Sequence, residues 1–499
     1  MSEIRVPAWP WRAVRGLAED RSIQLWLVGG AVRDILLERP LHDWDFAVDR
    51  DAMALARSVG DALGGFFFPL DEERGTARVV LDTAEESRVV LDFARLRGPG
   101  LEADLLGRDF TINAMAVSPS GALVDPLGGD TDLRAGIIRA TQRRVLTDDP
   151  VRLLRAARLE TELGFKAEAR TEAWIREDAS LLAKPAPERL RDELARGLAA
   201  PGAAGFIRRL DDLELLVHVV PELTALKGVA QSHPHRFDVW EHTLRVVGAA
   251  EDVAATLLGQ SPPTASRALA DAPAAARGEL VRRLRQFAEA LGDHLAVIVC
   301  DRRDRLFVLK LAALLHDVGK PQTQSMGDDG RIHFHGHESE GARTAAARMQ
   351  ALHFSRDETL RVRTMVEAHL RPAQLARERR VTRRAIYRYF RDTGDAGVDT
   401  VLLSLADHLA TWGPGLRPER WARRLETAEL LLYHYFERPE QTVDPQLPID
   451  GHDLMRALEM EPGPEVGRLL GLLREAVAAG EVRTRDEALE LVRRSSRLS

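Results

Sequence analysis

The sequence predicts an α+β N-terminal domain, a small mixed sheet with helices, followed by a long all-helical remainder. Three observations predict it. Between Leu27 and Val48 the chain reads as strand, Gly-Gly turn, amphipathic helix, strand. Three further short runs rich in β-branched and aromatic residues, FFFPL, ARVVL and RVVLDFARL, are separated by acidic turn residues. From about residue 150 onward strand signals nearly vanish.

In the first of these elements a short apolar strand (Leu27, Val28) runs into Gly29-Gly30, and the helix after it carries Arg33 and Asp34. The next strand holds Asp43 and Asp45, two residues apart. Side chains at i and i+2 of a strand share a face, so the two carboxylates converge. Glycines let backbone N–H groups approach phosphate oxygens, and a helix start adds a favourable field. Hard Mg²⁺ is held by one or two carboxylates plus substrate phosphates, so the segment is suited to a metal-bound triphosphate. The stretch LVGGAVRDILLERPLHDWDFAV resembles the head motif of class II tRNA nucleotidyltransferases and bacterial poly(A) polymerases, members of the polymerase-β-like nucleotidyltransferase superfamily. The resemblance implies a nucleotidyltransferase head over residues 1–140, with Asp43 and Asp45 as catalytic Mg²⁺ ligands and Gly29, Gly30 and Arg33 at the nucleotide.

Asp92, in the last of the three later strands, is either a third active-site carboxylate or a strand-end surface residue. ADLLGRDFTINAMAV is close to the family's RRDFTINA motif, with Gly107 where an arginine is usual. By that match Arg108 contacts the nucleotide. LVDPLGGDTDLRAGIIRA resembles the next family motif, a turn that locks the head onto the neighbouring helical segment.

Asp149-Pro150 opens a helix, with an acidic cap and proline in the first turn. Asp149, Arg152, Arg155 and Arg158 are spaced by three and line one slowly rotating face. A carboxylate accepts from an exocyclic amine and a guanidinium donates to ring and carbonyl acceptors, so the set is able to read cytosine or adenine. The segment resembles the family's EDxxR motif, with Asp148 replacing its Glu. This helix opens the predicted all-α neck at 141–228.

A second constellation is distributed over the helical remainder. FDVWEHTLRVV carries His242, LKLAALLHDVGK carries His316 and Asp317, and LSLADHLATW carries Asp407. HFHGHESEG and VEAHLRP add His337 and His369. An H…HD…D series on successive helices resembles HD-domain phosphohydrolases, placing an HD domain at 229–415. The resemblance implies that His242, His316, Asp317 and Asp407 bind a divalent metal such as Mg²⁺, Mn²⁺, Ni²⁺ or Co²⁺. His337 and His369 match extra histidines of dinuclear members. The alanine- and proline-rich stretch from 251 reads as an insertion or mobile connector within about 251–305.

RPAQLARERRVTRRAIYRYFRDTG is strongly basic with interleaved aromatics, so Arg383, Arg384, Tyr387 and Arg388 are candidates for RNA contact, against a solvated helix with its aromatics in the core. The final segment, in a helical tail at 416–499, resembles the C-terminal part of HD-containing CCA-adding enzymes. The implied partners are the tRNA 3′ end, CTP and ATP.

A chain of 499 residues, 45% hydrophobic and 29% charged, is long enough for three or four domains of ordinary globular composition. One cysteine, Cys300, excludes an internal disulfide framework and fits a reducing, cytoplasmic setting. No signal pattern and no membrane-length apolar run is present, so no membrane role is expected. A net charge of −7 places nucleic-acid contact on local stripes.

Three functions remain distinct. The leading one is template-independent addition of CMP and AMP to the tRNA 3′ end. In relatives a flexible loop between the last head strand and the RRDFTINA motif helps switch from C to A. Here only RLRGPGLEAD spans Arg95 to Asp104, which favours a CC-adding, or alternatively A-adding, specialist, unless a segment such as GFFFPLDEERG compensates. Poly(A) synthesis, and an HD phosphohydrolase with a non-catalytic head, are the alternatives.

Overall fold

The strand β1 (Leu25–Val28) pairs antiparallel with β2 (Asp43–Val48), Val28 opposite Asp45. Between them the Gly29 turn starts α1 (Gly30–Leu36). From β2 the chain passes through α2 (Ala52–Leu63), β3 (Phe66–Asp71) and β4 (Thr76–Asp82) to β5 (Arg88–Arg95), which lies parallel to β2. With β6 (Ala116–Val117) and β7 (Leu123–Val124) the sheet runs β3-β4-β5-β2-β1-β6-β7, the small mixed sheet the sequence predicts. The structure, a computed structural model, describes residues 4–41, 43–82, 88–261 and 271–496.

Alternation decides the faces of this sheet. Leu27, Phe46, Val48, Leu91 and Phe93 are buried, and Phe46 stacks on Phe93 with centroids 5.0 Å apart. Leu55, Ala56 and Val59 bury the apolar face of α2, which packs against β4 and β5. At the edge, Phe66, Phe68 and Leu70 of β3 are exposed.

The chain divides into two compact units, Met1–Pro185 with Leu213–Leu215, and Ala186–Asp212 with Leu216–Ser499. The division therefore falls inside the segment expected as one neck. The first unit also contains α3 (Leu101–Leu106), α4 (Arg143–Asp148) and α5 (Val151–Leu163).

The second unit is mainly helical. Its centre is built from α6 (Val239–Leu257), α8 (Arg305–Leu315), α9 (His337–Ala351), α10 (Arg356–Ala368) and α12 (Ala396–Trp412). Local chemistry sets their starts. Asp238 and Asp304 accept from the backbone N–H of Glu241 and Phe307, and Ser355 with Glu358 forms a reciprocal capping box. Buried charges are paired: Lys310 with Glu251 at 3.1 Å, Arg303 with Glu358 at 2.5 Å, and Arg305 with Asp399.

The expected connector is largely ordered helix. Residues 251–257 complete α6, and α7 (Ala274–Leu284) packs on α13 (Pro418–Phe436), Trp421 Nε1 donating to the Ala276 carbonyl at 3.0 Å. Buried Leu280 and Leu284 are the apolar stripe that holds α7 down. Residues 262–270 of the same stretch lie outside the described residues.

In α11 (Arg383–Thr393) the aromatics follow the second of the two readings, the core, so that only Tyr387 is withdrawn as a base-stacking candidate. Tyr387, Tyr389 and Phe390 are buried, and Tyr389 donates its hydroxyl proton to the Gly397 carbonyl at 2.7 Å. The aromatics are core residues, unable to stack on bases from this position. Arg384 and Arg388 reach Glu475 on α15 (Pro464–Ala479), at 3.2 and 2.5 Å, while Arg383 donates to Gln441 at 3.1 Å. Between α13 and α15 lies α14 (Gly451–Leu458), and α16 (Arg485–Ser496) ends the chain. Leu454, Leu469, Leu473 and Val492 form a core among the last three helices.

Candidate active sites

The head site forms where β1, β2 and β5 lie side by side. Asp43 and Asp45 share a face of β2, and the parallel register sets Asp92 of β5 directly beside Asp45. Of the two readings of Asp92, the geometry matches the carboxylate beside the site. Its two oxygens accept from Arg78 Nε and Nη2 at 2.7 and 2.8 Å. Desolvation, with the like charges of Asp92 and Asp43 and against Arg108, pushes the Asp45 carboxyl up to about 6. Crowded oxygen donors of this kind fit a hard divalent cation, which relieves their repulsion.

Gly29 is required here. Its φ is +74°, and a Cβ on it would meet Asp45 Oδ2 at 2.8 Å and Arg108 Nη1 at 3.0 Å. Arg108 is oriented from behind by Asp104, whose Oδ2 accepts from Nε and Nη2 at 3.1 and 2.9 Å. Arg33 is held by Asp34 and by Asn113 Oδ1, the latter at 2.8 Å, and Gly30 lies against its guanidinium.

On α5 the four spaced residues do not act as one face. Asp149 and Arg152 stay together, Nε to Oδ2 at 3.6 Å, and Arg152 Nη1 donates to the Val145 carbonyl at 3.2 Å. Arg155 instead donates to buried Asp109 at 2.9 Å. Arg158 is buried and donates to Glu162 at 2.5 Å. The reason is the helical period: positions three apart drift around the axis, so the later arginines turn toward other partners. Pro150, rather than Asp149, is the N-cap position of the helix.

The second unit assembles the other constellation. His242 on α6 lies 3.1 Å from Asp407 on α12 and 3.5 Å from Asp317 (Nε2 to Oδ). His316 Nε2 is 3.1 Å from Asp317 Oδ2, and His337 Nε2 is 3.5 Å from its Oδ1. Two groups able to hold an ion share Asp317: His242 with His316, and His337 with His369. The Nδ1 atoms of His316, His337 and His369 face the carbonyls of Ala313, Phe334 and Val366 at 2.6–2.8 Å. That bond leaves Nε2 as the inward ligand atom. The Nε2 atoms of His242, His316 and His337 are buried and make no well-aligned hydrogen bond within the protein. Burial holds the His242 imidazole below its usual value and takes His369 down to about 3, the neutral form a metal accepts. The donor set of imidazole and carboxylate fits a divalent transition metal.

Three contributors were not among the sequence candidates. Lys320, one helical turn beyond Asp317 in the same LLHDVGK motif, reaches it at 2.6 Å; that spacing was a usable signal. Asp104 orients Arg108 as an i,i+4 pair, again a usable spacing, whereas His235, which packs edge-on to His242 at 4.9 Å, is marked by no local pattern.

The comparisons with known proteins agree with this arrangement. Residues 25–139 match the family model of the Poly A polymerase head domain and 279–412 that of the HD domain. His242 lies before the second match and is joined to it by folding. The chain is 36% identical over 475 residues to an A-adding tRNA nucleotidyltransferase of Deinococcus radiodurans, covering 94% of each chain. It is likewise 36% identical over 468 residues to a CC-adding tRNA nucleotidyltransferase of Thermus thermophilus, covering 92% of this chain and 91% of that one. Among solved structures, a Thermotoga maritima CCA-adding enzyme complexed with tRNA superposes with a TM-score of 0.56 at 22% identity, over 99% and 97% of the two chains. A CCA-adding enzyme complexed with ATP gives 0.60 at 21%, over 97% and 94%. At these identities the structural likeness is one of fold.

Proposed function

Because this chain belongs to the tRNA nucleotidyltransferase family with an HD domain, we propose that it adds nucleotides to the tRNA 3′ end as a specialist for cytidine, and that its HD centre hydrolyses a phosphoester at RNA ends. In the first reaction the terminal ribose hydroxyl oxygen bonds to the α-phosphorus of CTP. The bond from that phosphorus to the bridging oxygen breaks, and pyrophosphate leaves. Asp43 and Asp45 would hold Mg²⁺, which supplies charge neutralisation for the leaving group and acidifies the attacking hydroxyl. The glycine turn admits the triphosphate, and Arg108, oriented by Asp104, faces its charge. Asp149 and Arg152 read the Watson–Crick edge; the Asp accepts from the amine and the Arg donates to the adjoining acceptor.

One observation carries the restriction to a single type of base, and the CC-adding relatives favour cytidine as that base. The turn at 97–103 is clamped: Arg97 N and Nε both donate to Asp104 Oδ1, at 3.2 and 3.0 Å, and α3 begins at Leu101. A clamped turn cannot swing far enough to remake the base pocket after two additions, and such gating is a conformational step. The A-adding relative at equal identity favours the opposite single step. Purified enzyme is therefore given tRNA lacking CCA, tRNA lacking only A, and complete tRNA, with each nucleotide in turn. Extension by two C residues and stalling is the expected result; completion of CCA, or addition of A alone, overturns it.

At the HD centre the supporting feature is the pair of ligand groups sharing Asp317. His242, His316, Asp317 and Asp407, with His337 and His369, would hold divalent metal, which supplies Lewis acidity toward a phosphate oxygen and acidifies water. A water oxygen bonds to phosphorus, a P–O bond to a ribose oxygen breaks, and that oxygen takes up a proton. Lys320 fixes Asp317, and the substrates suited to the site are 2′,3′-cyclic or terminal phosphates.

A further inference from the structure

In the turn that joins β5 to α3, Arg97 shares a buried carboxylate with Arg108. Asp104 Oδ1 accepts from Arg97 Nε at 3.0 Å, and Oδ2 accepts from Arg108 Nε and Nη2 at 3.1 and 2.9 Å. All three residues belong to the first compact unit. Burial alone would raise the Asp104 carboxyl, but Arg108 and Arg97 outweigh it and hold it below its ordinary value. Two guanidiniums thus divide one negative charge, and a positive charge is left over.

That charge is the one on Arg97. Arg108 has only 17% of its side chain exposed, and its Nη1 lies against Gly29, within electrostatic reach of Asp45. The Arg97 side chain is 56% exposed. Among the described residues no acceptor meets its Nη1 or Nη2, since only Nε is engaged. Two parallel N–H groups on a rigid plane match a pair of phosphate oxygens.

The place of this guanidinium is informative. A Cβ built on Gly107 would lie 4.0 Å from Arg97 Cζ, so Arg97 fills the space in front of a residue that has no side chain of its own. Gly107 immediately precedes Arg108, and its carbonyl accepts from Arg152 Nη1 at 3.4 Å. Burial first of all lowers the Arg152 guanidinium, and Arg97 is among the like charges that act on it. Arg97 therefore adjoins both the arginine that faces the triphosphate and the residues that read the base.

We infer that Arg97 is a second triphosphate-binding residue of the head, donating from Nη1 and Nη2 to phosphate oxygens of the incoming nucleotide that depart with pyrophosphate. It supplies from the short turn the cation that position 107, a glycine here, does not carry. The inference rests on the reading of Arg108 as a triphosphate contact and adds a residue to it.

The test uses the full-length protein and two variants, Arg97→Gln and Arg97→Gln/Gly107→Arg. Glutamine keeps a donor for Asp104 but no charge, and the backbone N–H of residue 97 still holds the turn to Asp104 at 3.2 Å. An arginine at 107 is admissible: φ there is −82°, and the atoms nearest to its Cβ are carbonyl oxygens at 3.4 and 3.6 Å. Nucleotide addition with Mg²⁺ gives KM for CTP on tRNA lacking CCA, KM for that tRNA, and Ki for inorganic pyrophosphate. ATP on tRNA lacking only A replaces these substrates if the parent adds only adenosine. Arg97→Gln should raise the nucleotide KM and the pyrophosphate Ki by about tenfold, the worth of a charge-assisted hydrogen bond, and leave KM for tRNA unchanged. The double variant should recover most of both losses. Unaltered constants in Arg97→Gln mean that the arginine only braces Asp104, and overturn the inference. A rise confined to KM for tRNA assigns it to the RNA backbone and overturns it too, as does a loss that the double variant does not recover. If Arg108→Ala keeps the parent's nucleotide KM and pyrophosphate Ki, the reading of Arg108 falls and takes the inference with it.

Discussion

Asp45 gathers charge from both sides, with Asp92 in register on the neighbouring strand and Arg108 behind Gly29. Replacing it or Asp43 with Ala removes one of the two carboxylates proposed to hold Mg²⁺. Nucleotide addition should fall by on the order of 10²–10³-fold or more, with an unchanged far-UV spectrum; near-normal turnover would sink the assignment. At the proposed base reader the same scale gives a different signature. Asp149→Ala and Arg152→Ala should lower preference for CTP over UTP, because readout of a base edge is worth about 1–3 kcal/mol, roughly 5- to 150-fold. Competition assays with mixed nucleotides measure this directly. Arg158→Ala, by contrast, should leave the preference unaltered, since its guanidinium is turned to Glu162.

At the scale of elements, α5 is tied to the preceding motif by one buried pair. Burial alone would raise the Asp109 carboxyl, but the charge and hydrogen bond of Arg155, with Asn113, outweigh it and bring Asp109 down to about 2. A carboxylate depressed in the folded state adds stability that is fully present above its unfolded value, about 3.9, and is lost as pH falls through about 2. A depression of this size corresponds to about 2 kcal/mol. Denaturation midpoints measured from pH 5 to pH 2 should therefore fall less steeply in Asp109→Asn than in the parent, and the variant should start from lower stability at pH 5. Parallel curves would show that the pair contributes nothing. The basic helix α11 makes the complementary point: its arginines and the acidic Glu475 fasten it to the last helices.

On the scale of the molecule, the two sites lie in separate compact units. His316→Ala removes a proposed metal ligand from the second without touching any residue of the first. It should abolish phosphoester hydrolysis and lower bound metal in the purified protein, while addition to tRNA stays within about twofold of the parent. Loss of both activities together would mean that the units depend on one another. Among the described residues no helix is long and apolar enough to cross a membrane.

How much was legible depended on how local the determining physics is. Strand alternation made Asp43 and Asp45 readable as a pair, because period two needs only three consecutive residues. The Gly-Gly turn, the LLHDVGK motif and the helical periodicity were readable for the same reason. Arg158–Glu162 was equally open to inspection, an i,i+4 pair that the three-residue spacing obscured. Other facts depend on contacts between distant segments. Asp92 is set beside Asp45 by the parallel pairing of β2 and β5, with α2, β3 and β4 intervening in the chain. Asp317 became the carboxylate common to two histidine pairs only when four helices met. Tyr387 and Phe390 could have faced solvent or core with the same sequence, and the helices packed around them chose the core. By itself, then, the sequence determined the family, the order of elements and the ligating residue types, which short-range periodicity and motif spacing encode. Only the tertiary structure decided which charges neutralise one another and which are left over, because pairing is a matter of distance in space, and distance in space is not a function of distance along the chain.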